Sequence, residues 1–118
     1  MITGLDFIGI PSTDADRSRS FYVETLGLRP DDGSEYEFWV GDTCFGIWEP
    51  EKQGMEFSAE KCSHLALHVE DIEAARAELE SKGVTFFGET FDTGVCHMAL
   101  FADPDGNSLM LHHRHTPR

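Results

Sequence analysis

The sequence predicts an α+β fold made of two tandem βαβββ modules, and three observations carry that reading. Asp14 and Asp71, each placed to open a helix behind an apolar strand, stand 57 residues apart. Gly27 and Gly83, each placed where a left-handed residue would end that helix, stand 56 residues apart. Behind each glycine the chain breaks into short apolar runs separated by turn residues. An order of elements repeated at a fixed offset marks a duplicated unit. A half of about 57 residues buries little surface alone, so the two halves are expected to pack as one unit.

In the first half, "LDFIGIPSTD" supplies the opening strand and "DADRSRSFYVETLG" a helix with Phe21, Tyr22, Thr25 and Leu26 on one stripe. "EYEFWV", a turn at Gly41 and Asp42, and "TCFGIWE" follow as strands. The second half opens on "SHLALHVED" and continues into "DIEAARAELESKG", with Ile72, Ala75 and Leu79 at helical spacing. Its strands are "VTFFG", "VCHMALFA" and, after the strong turn "DPDGN", "SLMLHHR". Module 1 is expected over residues 1–49, a connector over 50–61 with Met55 and Phe57 tucked against the body, and module 2 over 62–118. Together they form one domain.

Composition narrows the partners. A formal charge of −13 disfavours nucleic acid and anionic membranes, which need clustered Lys and Arg. No run of about 18 apolar residues is present, and "MITGLDFIGI" lacks the features of a signal peptide, so a cytoplasmic location is expected. Cys44, Cys62 and Cys96 form neither a CxxC pair nor an even set, and read as small hydrophobes rather than disulfides or zinc ligands. A small molecule or another protein remains.

Paired βαβββ modules, an aspartate opening each helix, "FYVETLGL" at the end of the first helix and "DPDGN" before the last strand together resemble the vicinal oxygen chelate superfamily. That group includes glyoxalase I, bleomycin and fosfomycin resistance proteins, methylmalonyl-CoA epimerase and extradiol dioxygenases. The resemblance covers nearly the whole chain. It implies a curved mixed sheet around a cavity, helices on the convex side, and a homodimer. It also implies, in metal-using members, four ligands on the cavity face: one on the first strand of each module and one on the last.

Strand parity assigns those positions. In "HLALHV" the residues Leu65, Leu67 and Val69 form an apolar set for the helix side, which leaves His64, Ala66 and His68 on the cavity side. His64, seven residues before Asp71, matches the ligand position of the second module. Phe7, seven before Asp14, has no lone pair to offer, and Met110 stands where the resemblance implies a carboxylate. A thioether is a poor ligand for hard or borderline divalent ions. The fourth position falls at Phe45 or Gly46, and only a shift of register brings in Glu49. His64 and His68 lie about 13 Å apart along a strand, too far to share one ion.

No cofactor is therefore expected, with a divalent metal held by His64 and Glu49 as the alternative. The cavity lining would comprise Phe7, Trp48 or Ile47, His64, His68, Met110 and His112, with Trp39 and His97. Such a lining suits a flat or amphipathic organic ligand, as in the metal-free drug-sequestering branch that the chain resembles. Two enzyme readings compete: a metal-dependent lyase, isomerase or dioxygenase of glyoxalase type, and a metal-free enzyme using His64 and His97 as base and acid. Nothing in the sequence marks Cys96 as an activated thiol. His113 and His115, in a basic tail, are expected in solvent.

Overall fold

The computed structural model describes residues 1–62 and 64–118. The chain divides into two compact units, Met1–Ala59 and Glu60–Arg118, each a four-stranded mixed sheet with a helix on one face. Each unit runs βαβββ, the arrangement the repeated offsets predict.

In the first unit, strand β1 (Ile8–Pro11) lies parallel to β4 (Thr43–Trp48), which pairs antiparallel with β3 (Glu37–Val40), and β3 with the two-residue edge strand β2 (Arg29–Pro30). No strand was expected at Arg29–Pro30. Pro30 has no N–H to give a further neighbour, which suits a short edge. Asp14 caps helix α1 (Ala15–Ser20) by accepting from the Arg17 N–H.

The expected helical stripe is only partly realised. The α-helix stops at Ser20 and gives way to a π-helical turn, Phe21–Thr25, in which the Leu26 N–H reaches back five residues to Phe21 O at 2.9 Å. That wider turn rotates the face. Of Phe21, Tyr22, Thr25 and Leu26, only Tyr22 is fully buried, stacked on Phe38 at 4.9 Å, with Phe45 beyond at 5.8 Å from Phe38. Ala15 and Ser18 supply the rest of the helix contact, and the hydroxyls of Ser12 and Ser18 meet at 2.6 Å.

In the second unit, β5 (Leu65–His68) runs parallel to β8 (Ser108–Arg114), β8 pairs antiparallel with β7 (Cys96–Ala102), and β7 with β6 (Phe87–Asp92). Asp71 caps α2 (Ile72–Ser81) through the Ala74 N–H, and Gly83 takes φ 92°. The Val84 N–H then closes the helix end on Leu79 O at 3.0 Å. That closure spends residues 84–86 on the exit, so β6 starts at Phe87 rather than at Val84 as "VTFFG" suggested. Phe86 instead packs on Phe101 at 5.1 Å, under the Arg76 guanidinium at 4.7 Å.

Helix α2 packs on β7 and β8, and its Ile72 and Leu79 are buried, as are Ala99, Phe101, Leu109 and Leu111 of those strands. In the "DPDGN" turn the buried Asp103 accepts from the N–H groups of Asp105 and Asn107 at 3.0 and 2.9 Å.

The connector also differs from expectation. A 3₁₀ turn, Pro50–Gln53, ends at the left-handed Gly54 within the first unit, and Met55 is exposed rather than tucked in, whereas Phe57 is half-buried. Glu60 and Lys61 belong with the second unit, bonded to Asn107 and Ser108. Among the described residues, no helix is long and apolar enough to cross a membrane.

Candidate ligand-binding site

Strand pairing in the first unit sets Gly9, Gly46 and Glu37 side by side. Alternation turns this row away from the buried face of Ile10, Phe45 and Phe38. Phe7, two residues before Gly9, and Trp48, two after Gly46, project over the same face. A side chain on Gly46 would begin 3.4 Å from Phe7 Cδ2, and one on Gly9 would begin 3.4 Å from Trp48 Nε1. The two glycines thus make room for two aromatic rings to lie across the sheet.

The rings flank an open hollow of about 660 Å³, with Ser34, Tyr36, Glu37 and Gln53 as its polar members. Phe7 is 57% exposed and Trp48 37%, so both keep ring surface available for contact. Cys44 donates to Glu37 Oε2 at 3.3 Å, and burial followed by that carboxylate pushes its thiol pKa up, which leaves it a poor nucleophile. Tyr36 donates to Asp16 Oδ1 at 2.7 Å; this bond pushes the phenol up to about 12 and keeps it neutral.

Glu37 went unnoticed in the sequence because the ligand count considered only the first and last strands of each module. Its signal was available: "EYEFWV" places Glu37 and Trp39 on one face by simple alternation. Trp39 itself donates its indole N–H to Asp31 at 2.8 Å, with the Arg29 guanidinium 5.8 Å from the ring, and does not line the hollow.

The register also resolves the fourth ligand position. Gly9 pairs with Gly46 as Ala66 pairs with Met110, so Gly46, not Phe45, corresponds to Met110. Glu49 lies beyond the end of β4 at the N-cap of the 3₁₀ turn, 3.0 Å from Lys52 Nζ.

In the second unit, Ala66, Met110 and Leu100 share one row and His68, His112 and Met98 the next, on the face opposite Leu111 and Ala99. Met110 is nearly buried, whereas His64, just ahead of β5, is exposed. His68 donates from Nε2 to Glu70 Oε1 at 2.9 Å, a bond that holds the Glu70 pKa down.

His97 departs from the expectation that it faces the cavity with His64. It pairs with His113 on the helix-side row of Ala99 and Phe101, whereas the β5 end next to His64 is level with Leu109. Four or five residues of strand, about 13–16 Å, separate the two imidazoles, so they cannot act as acid and base on one small substrate. Of the two tail histidines, His113 is half-buried, whereas His115 is exposed as expected. β8 runs through Arg114, His113 Nδ1 donates to Val69 O at 3.0 Å, and His115 Nε2 bonds Asp92 at 2.9 Å.

A model of the Glyoxalase/Bleomycin resistance protein/Dioxygenase superfamily matches residues 4–111. The chain belongs to this superfamily. A lactoylglutathione lyase of Schizosaccharomyces pombe is 29% identical over 124 aligned positions, covering 78% of this chain and 41% of the lyase. The chain thus spans about two-fifths of that relative's length. Among solved structures, a glyoxalase family protein from Bacillus anthracis shares the fold at TM-score 0.79 and 21% identity, with 97% of each chain covered. TnmS3, an antibiotic binding protein from a Streptomyces species, is similar at TM-score 0.75 and 26% identity, over 96% of this chain and 97% of its own.

The ligand positions that the resemblance implies for metal-using members read here Phe7 and Gly46 in the first unit and His64 and Met110 in the second. Phe7 and Gly46 offer the first unit no side-chain donor, and His64 and Met110 offer the second one imidazole and one thioether, a poor set for a divalent ion. The inherited metal does not fit these residues.

Proposed function

We propose that this superfamily member binds a flat, amphipathic aromatic molecule in the Phe7–Trp48 hollow, with no metal at the inherited positions. The observation that supports this most is the Phe7 ring lying over Gly46. Two former ligand positions are thereby turned into an apolar wall and its floor. A volume of about 660 Å³ falls in the range of small-molecule pockets. The Glu37 carboxylate and the charge of −13 favour a ligand carrying a cationic or hydrogen-bond-donating group. The likeness to an antibiotic binding protein points the same way. On the second unit, we assign the exposed His64 a hydrogen-bonding role toward an organic ligand.

Calorimetric titration with proflavine, a flat aromatic cation, tests the reading. Trp48→Ala and Phe7→Ala should each weaken binding by about 1–3 kcal/mol, and Glu37→Gln should weaken it less. Equal affinity in all three variants would refute it.

The likeness to the yeast lyase favours a glyoxalase-type lyase or isomerase as the second reading. It requires turnover of lactoylglutathione that depends on an added divalent ion.

We also propose a homodimer. Phe87 and Phe91 on β6, at the edge of the second sheet, are 60% and 43% exposed, an apolar edge that a second copy would cover. Light scattering that gives the monomer mass across micromolar concentrations would refute this.

A further inference from the structure

The end of the second sheet farthest from His64 gathers Asp92 at the end of β6, His97 in β7 and His115 just past β8. His115 Nε2 lies 2.9 Å from Asp92 Oδ1 and His97 Nε2 3.3 Å from Asp92 Oδ2, with the two imidazoles 4.7 Å apart. One ligand atom from each residue falls within 4.8 Å of the others. The geometry points to a metal centre unrelated to the inherited positions: a two-histidine, one-carboxylate site for zinc or another borderline divalent ion. Four-coordinate zinc with bonds of about 2.0–2.1 Å needs donors roughly 3.4 Å apart, a small adjustment from these spacings. Two imidazoles and one carboxylate select zinc, cobalt or nickel over calcium or magnesium.

The backbone around the three residues is held in place. The Thr93 N–H bonds Cys96 O at 2.9 Å across the turn, and the His115 and Thr116 N–H groups both reach Val95 O, at 2.9 and 3.2 Å. The supporting contacts are those of a ligating set. Gly94 N–H donates to Asp92 Oδ1 at 2.7 Å, and Thr116 Oγ1 sits 3.2 Å from His115 Nδ1. With Nε2 on a metal, His115 carries its proton on Nδ1 and donates it to that hydroxyl. Arg114 pairs with Cys96, so alternation directs it to the face opposite His97.

A second histidine group, His68, Glu70 and His113, exists in the same unit. Its His68 and Glu70 side chains are 62% and 87% exposed, against 41% for His97, 50% for Asp92 and 30% for His115. Each group has two exposed residues and one half-buried, but the Asp92 group has the less exposed side chains of those compared and its carboxylate already meets both imidazoles, so less ordering is left to binding and it is the one assigned.

Zinc titration by calorimetry of the untagged full chain, stripped with chelator beforehand, tests the assignment. One zinc per chain is expected, and cobalt(II) should give the visible absorption of a four-coordinate site. Asp92→Asn, His97→Gln and His115→Gln should each abolish the cobalt spectrum, Thr116→Val should weaken zinc about tenfold, and His64→Ala should change nothing. Circular dichroism without zinc checks that each variant keeps its fold. Proflavine binding should be unaltered in the Asp92, His97, His115 and Thr116 variants, which separates this site from the proposed hollow. Absence of zinc binding would overturn the inference. So would binding that survives the three ligand substitutions, or that is lost instead in His64→Ala, His68→Ala or His113→Ala.

Discussion

The ring of Phe7 lies across Gly46, its Cδ2 3.4 Å from the point where a side chain on that glycine would begin. Gly46 takes no left-handed φ, so its lack of a side chain serves space rather than backbone geometry. Gly46→Ala meets the ring at ordinary contact distance and should bind proflavine as the parent does. Gly46→Leu must displace Phe7 into the hollow and should weaken proflavine by about tenfold or more with the fold retained. Parallel titrations and thermal melts of the two variants check this. Unchanged affinity in Gly46→Leu would mean that the ligand sits elsewhere.

The Asp31–Trp39 pair gives the first sheet an acid limit. The indole N–H bond, followed by the Gly33 backbone N–H, holds the Asp31 pKa below 3.8. A carboxylate with a depressed pKa contributes stability above its unfolded value and loses it as pH falls through the folded one. Urea unfolding at neutral pH and near pH 3 should therefore show an acid-dependent loss that is smaller in Asp31→Asn. An equal loss in both proteins would remove Asp31 from the account.

At the other extreme, the Tyr36 phenol is pushed up to about 12 by its bond to Asp16. Because the raised value favours the neutral form, this contribution is full below pH 10 and is lost as pH rises toward about 12. The difference in phenolate absorbance between the parent and Tyr36→Phe should show a late titration that Asp16→Asn moves back toward 10. A midpoint already at 10 in the parent would contradict the bond.

The duplicated frame was legible because its punctuation is chemical and local. Asp14 and Asp71 do cap the two helices, Gly27 and Gly83 do take positive φ, and Asp103 does organise the "DPDGN" turn. The π-helical turn at Phe21–Thr25 was not legible, since it keeps near-helical apolar spacing while rotating the buried face. The orientation of His97 was hidden for a different reason. In "CHMALFA" both alternating sets, Met98 with Leu100 and Ala99 with Phe101, are apolar, so parity alone cannot choose the core face.

Met110 and Phe7 could be assigned by counting from motifs, whereas Gly46 had to await the β1–β4 register. The His115–Asp92 contact joins residues 23 positions apart, beyond any local pattern. Glu37 needed only the middle strand to be considered.

The central claim is that the hollow beside Phe7 and Trp48 holds an organic ligand without help from a metal. Proflavine affinity of the untagged chain, measured before and after exhaustive chelation, tests it most directly. The account predicts the same affinity in both samples and a loss of about tenfold or more in Trp48→Ala. Binding that disappears on chelation and returns with nickel, zinc, iron or manganese would contradict it.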